Sequence, residues 1–309
     1  MAVHVALVGT TASGKSALAL EVARRHRDLE LVSFDSMQVY RGMDIGTAKP
    51  TSAERSEVPH HLIDLVDPDA EFTVAEFRSA GEAALADIEG RRRRALLVGG
   101  TGLYLRAVLD RLEIPGQYPG VRDDLDREPD TEALHRRLAT LDPLAASRME
   151  ATNRRRVVRA LEVTIGAGRP FSSFGPGLTR YAPTDHLVVG VALPAPVVAA
   201  RIEARYRRQL ESGFVDEVRR LAARPGGLSR TARQALGYRE LLTHVEDGLD
   251  LERAVDLAVR RTRQFARRQR AWFRRDPRIR WLEAADDPME VLPGLLGLIE
   301  RHQTGATCD

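Results

Sequence analysis

The chain has 309 residues, of which 43% are hydrophobic and 29% charged, and its formal net charge is +3. This composition excludes a wholly disordered protein, and the length suits two domains or one domain with an insertion. The only cysteine, Cys308, lies next to the C-terminus, which excludes a disulfide framework and a cysteine-rich metal site within the chain. Neither a signal-peptide pattern nor an apolar run of about 18 residues is present, so we expect a cytoplasmic protein that does not span a membrane.

Strands and helices alternate in the first part of the chain. Short apolar runs rich in β-branched residues predict strands at His4–Val8, Leu31–Phe34 and Ala95–Val98. Helical spacing of apolar residues predicts helices at Ser16–Arg25, Phe72–Ile88 and Leu103–Leu112. This alternation indicates βαβ units, and hence an α/β protein with a central parallel sheet flanked by helices.

The pattern changes after residue 113. A Pro- and Gly-rich linker at 114–120 is followed by short predicted helices between 131 and 165 and by a polar loop at 166–183. The apolar run His186–Leu193 predicts a return to the sheet, and helices are expected to dominate from Pro196 to the end. We therefore predict a catalytic core of residues 1–113 and 186–309, ending in basic helices, that is interrupted by a mainly helical insertion domain of residues 114–185.

A phosphate-binding motif lies between the first predicted strand and the first predicted helix. The segment that fits the G-x4-G-K-[ST] pattern is Gly9, Thr10, Thr11, Ala12, Ser13, Gly14, Lys15, Ser16. In this pattern backbone N–H groups and the helix N-terminus bind phosphate oxygens, Lys15 neutralises the terminal phosphate and the Ser16 hydroxyl reaches Mg²⁺. The motif predicts a P-loop NTPase-like core that binds a diphosphate or triphosphate without requiring a nucleotide. A glycine-rich turn that only joins strand to helix is the alternative.

Two polar residues follow predicted strands, at the sheet edge where such folds bind ligands. Asp35 suits a general base or a Mg²⁺ ligand, and equally a turn or helix-capping aspartate. Thr101, between Gly100 and Gly102, suits a donor to a phosphate oxygen or a cap of the following helix. By default Lys49 is a surface lysine, and the adjacent His60 and His61 are a surface pair without a third residue at metal-ligand spacing.

The basic residues are almost all arginine, because lysine occurs only at Lys15 and Lys49. Two retained lysines suggest sites that need a compact point charge rather than a planar fork. Residues 260–275 contain eight arginines and no acid, with apolar residues at helical spacing, so one helix face is expected to pack inward while the other is basic. A second arginine cluster, at residues 154–159, lies in the predicted insertion. Such faces bind phosphate backbones with a salt dependence, although a solvated helix face is the plainer interpretation.

The chain resembles the bacterial tRNA isopentenyltransferase family over nearly its whole length. The matching blocks occur in the order found in the family and are Gly9–Ser16, Ser33–Tyr40, Met43–Pro50, Val58–Asp64, Leu97–Tyr104, Arg155–Glu162, Gln234–Glu240 and Arg267–Arg274. The resemblance implies transfer of a dimethylallyl group from dimethylallyl diphosphate to N6 of the adenosine at position 37 of tRNA, beside the anticodon. The P-loop then holds the diphosphate, which is released, and no phosphoryl group moves.

The resemblance also implies roles for single residues. Asp35 is the general base that takes the N6 proton, Thr101 orients the diphosphate, and the P-loop binds the diphosphate with Mg²⁺ on Ser16. The residues expected to contact tRNA are Asp35, Ser36, Met37, Gln38, Thr101, Arg122, Arg155, Arg156, Val157, Val158, Arg159, Arg267, Arg268 and Arg270. The implied partners are dimethylallyl diphosphate and the tRNA anticodon stem-loop, whose target base leaves its stack, and we expect a monomer.

Three other functions stay open on these residues. An adenylate isopentenyltransferase, which prenylates free AMP in cytokinin synthesis, shares residues of the Asp35 and Thr101 type but needs no basic insertion. A small-molecule P-loop kinase shares the fold, Lys15 and Mg²⁺, but it requires ATP binding and leaves the arginine-rich helix without a role. A non-enzymatic RNA-binding module needs neither the complete P-loop nor Asp35.

Overall fold

The computed structural model of the protein describes residues 4–175 and 177–304, so Cys308 lies outside the described residues. These residues form two compact units. One unit joins the residues up to Asp110 to those from Pro183 onward, and the other comprises Arg111–Ala182. No helix in the described ranges is long and apolar enough to cross a bilayer.

The first unit is built on a parallel sheet with the strand order β3-β2-β4-β1-β5-β6, which confirms the predicted α/β class. The strands of the described residues are β1 (Val5–Gly9), β2 (Leu29–Phe34), β3 (His60–His61), β4 (Arg94–Gly99), β5 (Leu187–Ala192) and β6 (Ile279–Glu283). The central strands β1, β4 and β5 are largely buried, which explains their continuous apolar sequences. Val8 of β1 pairs with Gly99 of β4 and Gly190 of β5, so the carboxyl ends of these strands meet at one edge.

Two edge strands have no counterpart among the predicted elements. β3 consists of His60 and His61 alone, and β6 has the sequence Ile-Arg-Trp-Leu-Glu. Helices dominate after Pro196 as expected, but the unpredicted strand β6 lies among them and pairs in parallel with β5. A two-residue strand shows no periodicity, and the half-exposed β6 lacks the continuous apolar run of a central strand.

Helices occupy most of the remaining described chain. They are α1 (Lys15–Arg25), α2 (Ser52–Glu57), α3 (Val74–Gly90), α4 (Gly102–Leu109), α5 (Pro119–Asp126), α6 (Thr131–Leu141), α7 (Pro143–Ser147), α8 (Arg154–Ala167), α9 (Ala195–Glu211), α10 (Phe214–Ala222), α11 (Arg230–Arg233), α12 (Tyr238–Asp247), α13 (Leu251–Phe273) and α14 (Leu292–Thr304). Short 3-10 turns lie at Phe171–Ser173 and Pro288–Val291. Local sequence sets several helix starts: Thr73 and Glu76 form a capping box before α3, and Pro196 lies in the first turn of α9.

The second unit contains α5 to α8 and has a hydrophobic core of its own. Val157, Val158 and Leu161 of α8 are fully buried in this core, together with Leu138 of α6. Asn153 caps α8, since its side chain accepts a hydrogen bond from a backbone N–H of the first turn. The inserted segment is thus a packed helical unit, and its contact with tRNA stays a prediction.

Candidate active site

The P-loop turns from β1 into α1 at the carboxyl edge of the sheet. α1 begins at Lys15, directly after Gly14, whose φ of 81° falls in the left-handed region that favours glycine. A Cβ on Gly14 would lie only 2.2 Å from Cγ of Pro288, so close packing requires glycine there as well. Ser16 follows in the first turn of α1, where it is exposed and lines a cavity.

This cavity has a volume of about 320 Å³ and lies against the P-loop. The volume falls within the range of about 300–1,000 Å³ that is typical of small-molecule sites. Among the described residues its charged lining consists of a single carboxylate, Asp35, and four cations, Lys15, Arg201, Arg205 and Arg208. Such an excess of positive charge suits a polyanion such as a diphosphate, and the carboxylate remains for proton transfer.

Lys15 is the cation that begins α1. Its Nζ donates a hydrogen bond of 2.9 Å to the carbonyl oxygen of Thr10. Burial lowers the pKa of Lys15 to about 8; the carboxylate of Asp35 opposes this shift and the guanidinium of Arg205 adds to it. The charge of Lys15 is therefore lost in a pH range in which an ordinary lysine stays protonated.

Three cavity cations on α9 are absent from the residues predicted from the sequence. Nε of Arg201 donates to the carbonyl oxygen of Ala12 at 2.9 Å, and Nη1 of Arg205 donates to the hydroxyl of Thr11 at 2.8 Å. Nε of Arg205 is buried without a hydrogen-bond partner among the described residues. Arg201, Arg205 and Arg208 recur at helical spacing, which is the only sequence signal for them, and that spacing is common in a chain so rich in arginine.

Asp35 and Thr101 come together where β2 and β4 end. Oδ1 of Asp35 accepts a hydrogen bond of 2.8 Å from the N–H of Met37, while Oδ2 bonds to no described residue. Oγ1 of Thr101 accepts a hydrogen bond of 3.4 Å from the N–H of Ser36, and it does not cap α4. Asp35 both stabilises a local turn and faces the cavity, so the structural and chemical roles considered for it are compatible.

Residues 38–49, which we call the wall loop, border the cavity through Gln38, Thr47 and Ala48. Nε2 of Gln38 donates to the carbonyl oxygens of Thr47 and Ala48 at 3.2 and 3.3 Å. Oε1 of Gln38 accepts from the hydroxyl of Ser33 at 2.7 Å. The Gln38 amide therefore shapes the cavity wall, whereas the preceding Met37 packs partly buried against the core.

Lys49 is buried, so its prediction as a surface lysine is wrong. Its side chain is 1% exposed, and Nζ donates to Asp44 and Asp64 at 2.8 and 2.5 Å. Nζ also donates to the carbonyl oxygen of Tyr40 at 2.5 Å. Burial raises the pKa of Asp64, but hydrogen bonds from Lys49 and Arg55 outweigh it and hold that pKa below its ordinary value. Lys49 thus links the end of the wall loop to Tyr40 and Asp44 of the same loop and to Asp64 outside it.

A buried carboxylate holds the wall loop from α10. Glu217 accepts hydrogen bonds from the N–H groups of Asp44, Ile45 and Gly46 at 3.0, 2.8 and 3.2 Å. It also accepts from the hydroxyl of Tyr238 at 2.5 Å. Four donors satisfy a residue that is 1% exposed. The sequence offers no signal for Glu217, because the backbone donors lie 171 to 173 residues away.

His60 and His61 are half-buried members of β3 rather than a surface pair. Nδ1 of His60 lies 2.7 Å from the carbonyl oxygen of Val58, and Nε2 of His61 lies 2.7 Å from a carboxylate oxygen of Glu30. Hydrogen bonds from Arg91 outweigh burial and lower the pKa of Glu30 to about 2. The described ranges contain no group of three His, Cys, Asp or Glu residues that could hold a metal ion.

α13 has a buried face and a basic face, as its sequence predicts. The residues buried in its last turns are Thr262, Ala266, Gln269 and Phe273. Two arginines of α13 pair with acids, Arg261 with Glu240 and Arg263 with Glu203. Arg274, directly after the helix, pairs with Glu283. The arginines that are exposed and form no ion pair with a described residue are Arg253, Arg260, Arg267, Arg268, Arg270 and Arg275. The predicted RNA-contacting arginines of this helix are thus among the free ones.

The second unit offers fewer free cations than its sequence suggests. Arg155 and Arg156 are exposed and form no ion pair with any residue that the structure describes. Arg159 and Arg122 each pair with an acid of the same unit, at 2.8 and 2.9 Å. The two valines predicted to contact tRNA, Val157 and Val158, are buried in the helical core, so their side chains present no surface to RNA.

The fold and the cavity define a P-loop protein whose cluster of cations suits a diphosphate or triphosphate. The chain matches the IPP transferase family model over residues 38–276 and the isopentenyl transferase model over residues 1–64. It belongs to the IPP transferase family, and its sheet and P-loop have the P-loop NTPase-like arrangement of that family.

Individual relatives support this assignment. The tRNA dimethylallyltransferase of Acidothermus cellulolyticus is 50% identical, covering 93% of this chain and 91% of that protein. That of Nocardioides sp. is 48% identical, covering 96% and 93%. The solved tRNA isopentenylpyrophosphate transferase of Bacillus halodurans is 34% identical and covers 98% of both chains with a TM-score of 0.69. A eukaryotic dimethylallyltransferase, 24% identical with a TM-score of 0.81, shares the fold over 100% of this chain and 81% of its own.

Proposed function

We propose that this protein transfers a dimethylallyl group from dimethylallyl diphosphate to N6 of the adenosine at position 37 of tRNA, next to the anticodon. The observation that carries the proposal is a cavity in which, among the described residues, one carboxylate faces four cations. Alkyl transfer from a diphosphate ester needs cations for the leaving group and one base for the attacking amine. The relatives at 48% and 50% identity carry the name of an enzyme for this reaction.

The cavity supplies both a proton acceptor for the attacking amine and cations for the leaving diphosphate. The N6 lone pair attacks C1 of the dimethylallyl group, so that the N6–C1 bond forms and the C1–O bond breaks with its electron pair leaving on the diphosphate. The N6 proton passes to Asp35, whose Oδ2 has no hydrogen-bond partner among the described residues. Lys15 and Arg205 neutralise the charge on the departing diphosphate. Thr101 is not among the residues that line the cavity, but its hydroxyl accepts from the N–H of Ser36, the neighbour of Asp35, and we assign it to orienting the diphosphate.

Mg²⁺ fits this cavity as a companion of the diphosphate. No acidic or histidine cluster of three occurs in the described chain, so a metal caged by protein side chains does not fit. Mg²⁺ instead commonly takes one or two protein oxygens and fills its shell with water and substrate phosphates. The exposed hydroxyl of Ser16 offers such an oxygen at the cavity. When bound, the ion supplies charge neutralisation to the leaving group.

The pH dependence of the reaction tests the role of Lys15. Below a pH of about 8 Lys15 is protonated and attracts the diphosphate, and above that pH the charge is lost. We expect kcat/KM for dimethylallyl diphosphate to fall by up to about tenfold per pH unit above this value. The Lys15→Met variant starts from a lower kcat/KM and lacks the fall. A wild-type profile that stays level to about pH 9.5 contradicts the assignment.

Replacement of Arg267, Arg268 and Arg270 by alanine tests the basic face of α13. These exposed arginines pair with no acid among the described residues and are free to neutralise phosphates. We expect weaker tRNA binding and a slope of log K against log salt that is shallower by about 2–3. Arg274→Ala, which breaks an exposed pair with Glu283, is the control and should leave the slope nearly unchanged. A wild-type slope in the triple variant would place the RNA surface elsewhere.

A label-transfer assay separates the proposed function from its alternatives. Labelled dimethylallyl diphosphate and Mg²⁺ are mixed with the protein and either unmodified tRNA or AMP, without ATP. Label in tRNA supports the proposal, whereas label in AMP alone indicates an adenylate isopentenyltransferase. Label in neither acceptor favours a kinase, detectable by ATP consumption, or an RNA-binding module.

A further inference from the structure

Gln269 joins the arginine-bearing helix α13 to both loops of the candidate active site. Its Oε1 accepts a hydrogen bond of 2.8 Å from the N–H of Thr11 in the P-loop. Its Nε2 donates a hydrogen bond of 2.9 Å to the carbonyl oxygen of Gly100, directly before Thr101. Because Gln269 is only 6% exposed, water cannot readily replace it for either loop.

The glycines on either side of Thr101 make room for α13. A Cβ on Gly100 would lie 2.4 Å from Nε2 of Gln269, and a Cβ on Gly102 would lie 2.2 Å from Nε1 of Trp272. Neither glycine has a positive φ, so the requirement is space rather than backbone conformation. The glycine-rich sequence after β4 therefore reflects the close approach of α13.

We propose that Gln269 is a positioning residue that sets the separation between the P-loop and Thr101, and so aligns the allylic diphosphate with the attacking adenine. This inference rests on the proposed function, in which the P-loop holds the diphosphate and Thr101 orients it. A primary amide suits the task because it presents a donor and an acceptor without a charge that would compete for the diphosphate. A misplacement of about 1 Å can lower a rate about a hundredfold, so two hydrogen bonds that fix this separation have a kinetic consequence.

The position of Gln269 also connects this alignment to the predicted RNA face. Arg267, Arg268 and Arg270 surround Gln269 in the sequence and are exposed, whereas Gln269 is buried. RNA bound to these arginines would therefore contact the same turn of α13 that is hydrogen-bonded, through Gln269, to the diphosphate-binding P-loop. One rigid helix thus provides a common reference for both substrates.

A double-mutant cycle on Gln269 and Gly100 tests the proposal. Gln269→Ala removes both hydrogen bonds, and Gly100→Ala displaces the Gln269 amide. We expect each single variant to lower kcat with tRNA about ten- to hundredfold while the Kd for tRNA changes less than about threefold. The double variant should be no worse than Gln269→Ala alone, because the new methyl group then meets no amide.

Two further measurements keep the test specific. Gln264→Ala, at an exposed glutamine of the same helix, is the matched control and should retain full kcat. Calorimetric titration should show that both single variants bind inorganic diphosphate more weakly, and that these losses of affinity do not add up in the double variant. Thermal melts establish that each variant is folded at the assay temperature.

The outcomes distinguish the positioning role from the proposed function. Losses in kcat and in diphosphate affinity that add up in the double variant overturn the role of Gln269, as does a kcat for folded Gln269→Ala equal to that of the wild type. A wild-type protein that transfers no label to tRNA contradicts the proposed function alone, because the cycle in diphosphate affinity still reports whether Gln269 sets the P-loop.

Discussion

Asparagine in place of Asp35 is expected to lower turnover with tRNA by about two to four powers of ten. Asparagine keeps an oxygen for the N–H of Met37, so the turn after β2 survives, but it cannot take the proton from N6. Single-turnover rates at saturating dimethylallyl diphosphate and tRNA measure the loss at the chemical step. The Kd for tRNA should stay near its wild-type value, because the surfaces that attract RNA are unchanged.

The matched control for this variant is Asp286→Asn, at an exposed carboxylate away from the cavity lining. Asp286→Asn should leave turnover unchanged, because it removes a negative charge without removing the proton acceptor of the cavity. An unchanged turnover shows that loss of charge alone does not explain the effect of Asp35→Asn. Normal turnover in Asp35→Asn would show that another group accepts the proton. A loss of tRNA affinity as large as the loss of rate would show that Asp35 acts in binding.

Alanine in place of Glu217 is expected to lower the free energy of unfolding by about 3–5 kcal/mol. The variant removes the common acceptor of four donors, which are the N–H groups of Asp44, Ile45 and Gly46 and the buried hydroxyl of Tyr238. Urea denaturation followed by circular dichroism measures the change. Because the wall loop borders the cavity, kcat/KM should fall as well at temperatures where the variant is folded.

The neighbouring residue provides the control for this prediction. Asp216 pairs with Arg219 on the surface of α10, with side chains that are 67% and 56% exposed. Asp216→Ala should therefore cost less than about 1 kcal/mol. An equally small effect of Glu217→Ala would mean that the wall loop keeps its conformation without the buried carboxylate.

Sequence patterns predict the centre of the sheet better than its edges. β1, β4 and β5 are buried by neighbouring strands and covering helices, so selection for apolar residues acts on nearly every position and leaves a continuous run. Among the described strands, β3 and β6 each have a partner on one side only. Their residues face partly into solvent, and the resulting mixed sequence resembles that of a loop or a helix end.

The candidate site was predictable where it is local in the chain. The P-loop pattern and an aspartate after a strand are visible within short segments, and both line the cavity. Glu217, Arg205 and Gln269 bond to loops of the site that lie 169 to 258 positions away in the sequence, and no periodicity reports such contacts. The contacts that hold the wall loop, and those of Arg205 and Gln269 with Thr11 of the P-loop, can therefore be recognised only in the folded structure.

Lys49 occupies a place that suits a compact ammonium group better than a guanidinium. Lys49 directs three N–H donors to acceptors on Tyr40, Asp44 and Asp64, which surround one atom, whereas a planar guanidinium spreads its donors. Lys15 places its Nζ 2.9 Å from the carbonyl oxygen of Thr10 at the cavity. The composition of the chain thus pointed to both positions, although not to what each lysine does.

The sheet order has a consequence for how the protein is made. β1 is synthesised first, but its neighbours β4 and β5 begin at Arg94 and Leu187, and the second unit is translated between them. During that interval the nascent chain carries β1 with an open apolar edge, which is a template for aggregation. Pairing of β1 with β5 awaits the emergence of Ala192 from the ribosome, and such remote parallel pairing is slow. The insertion therefore prolongs the time for which the edge of β1 that pairs with β5 stays open.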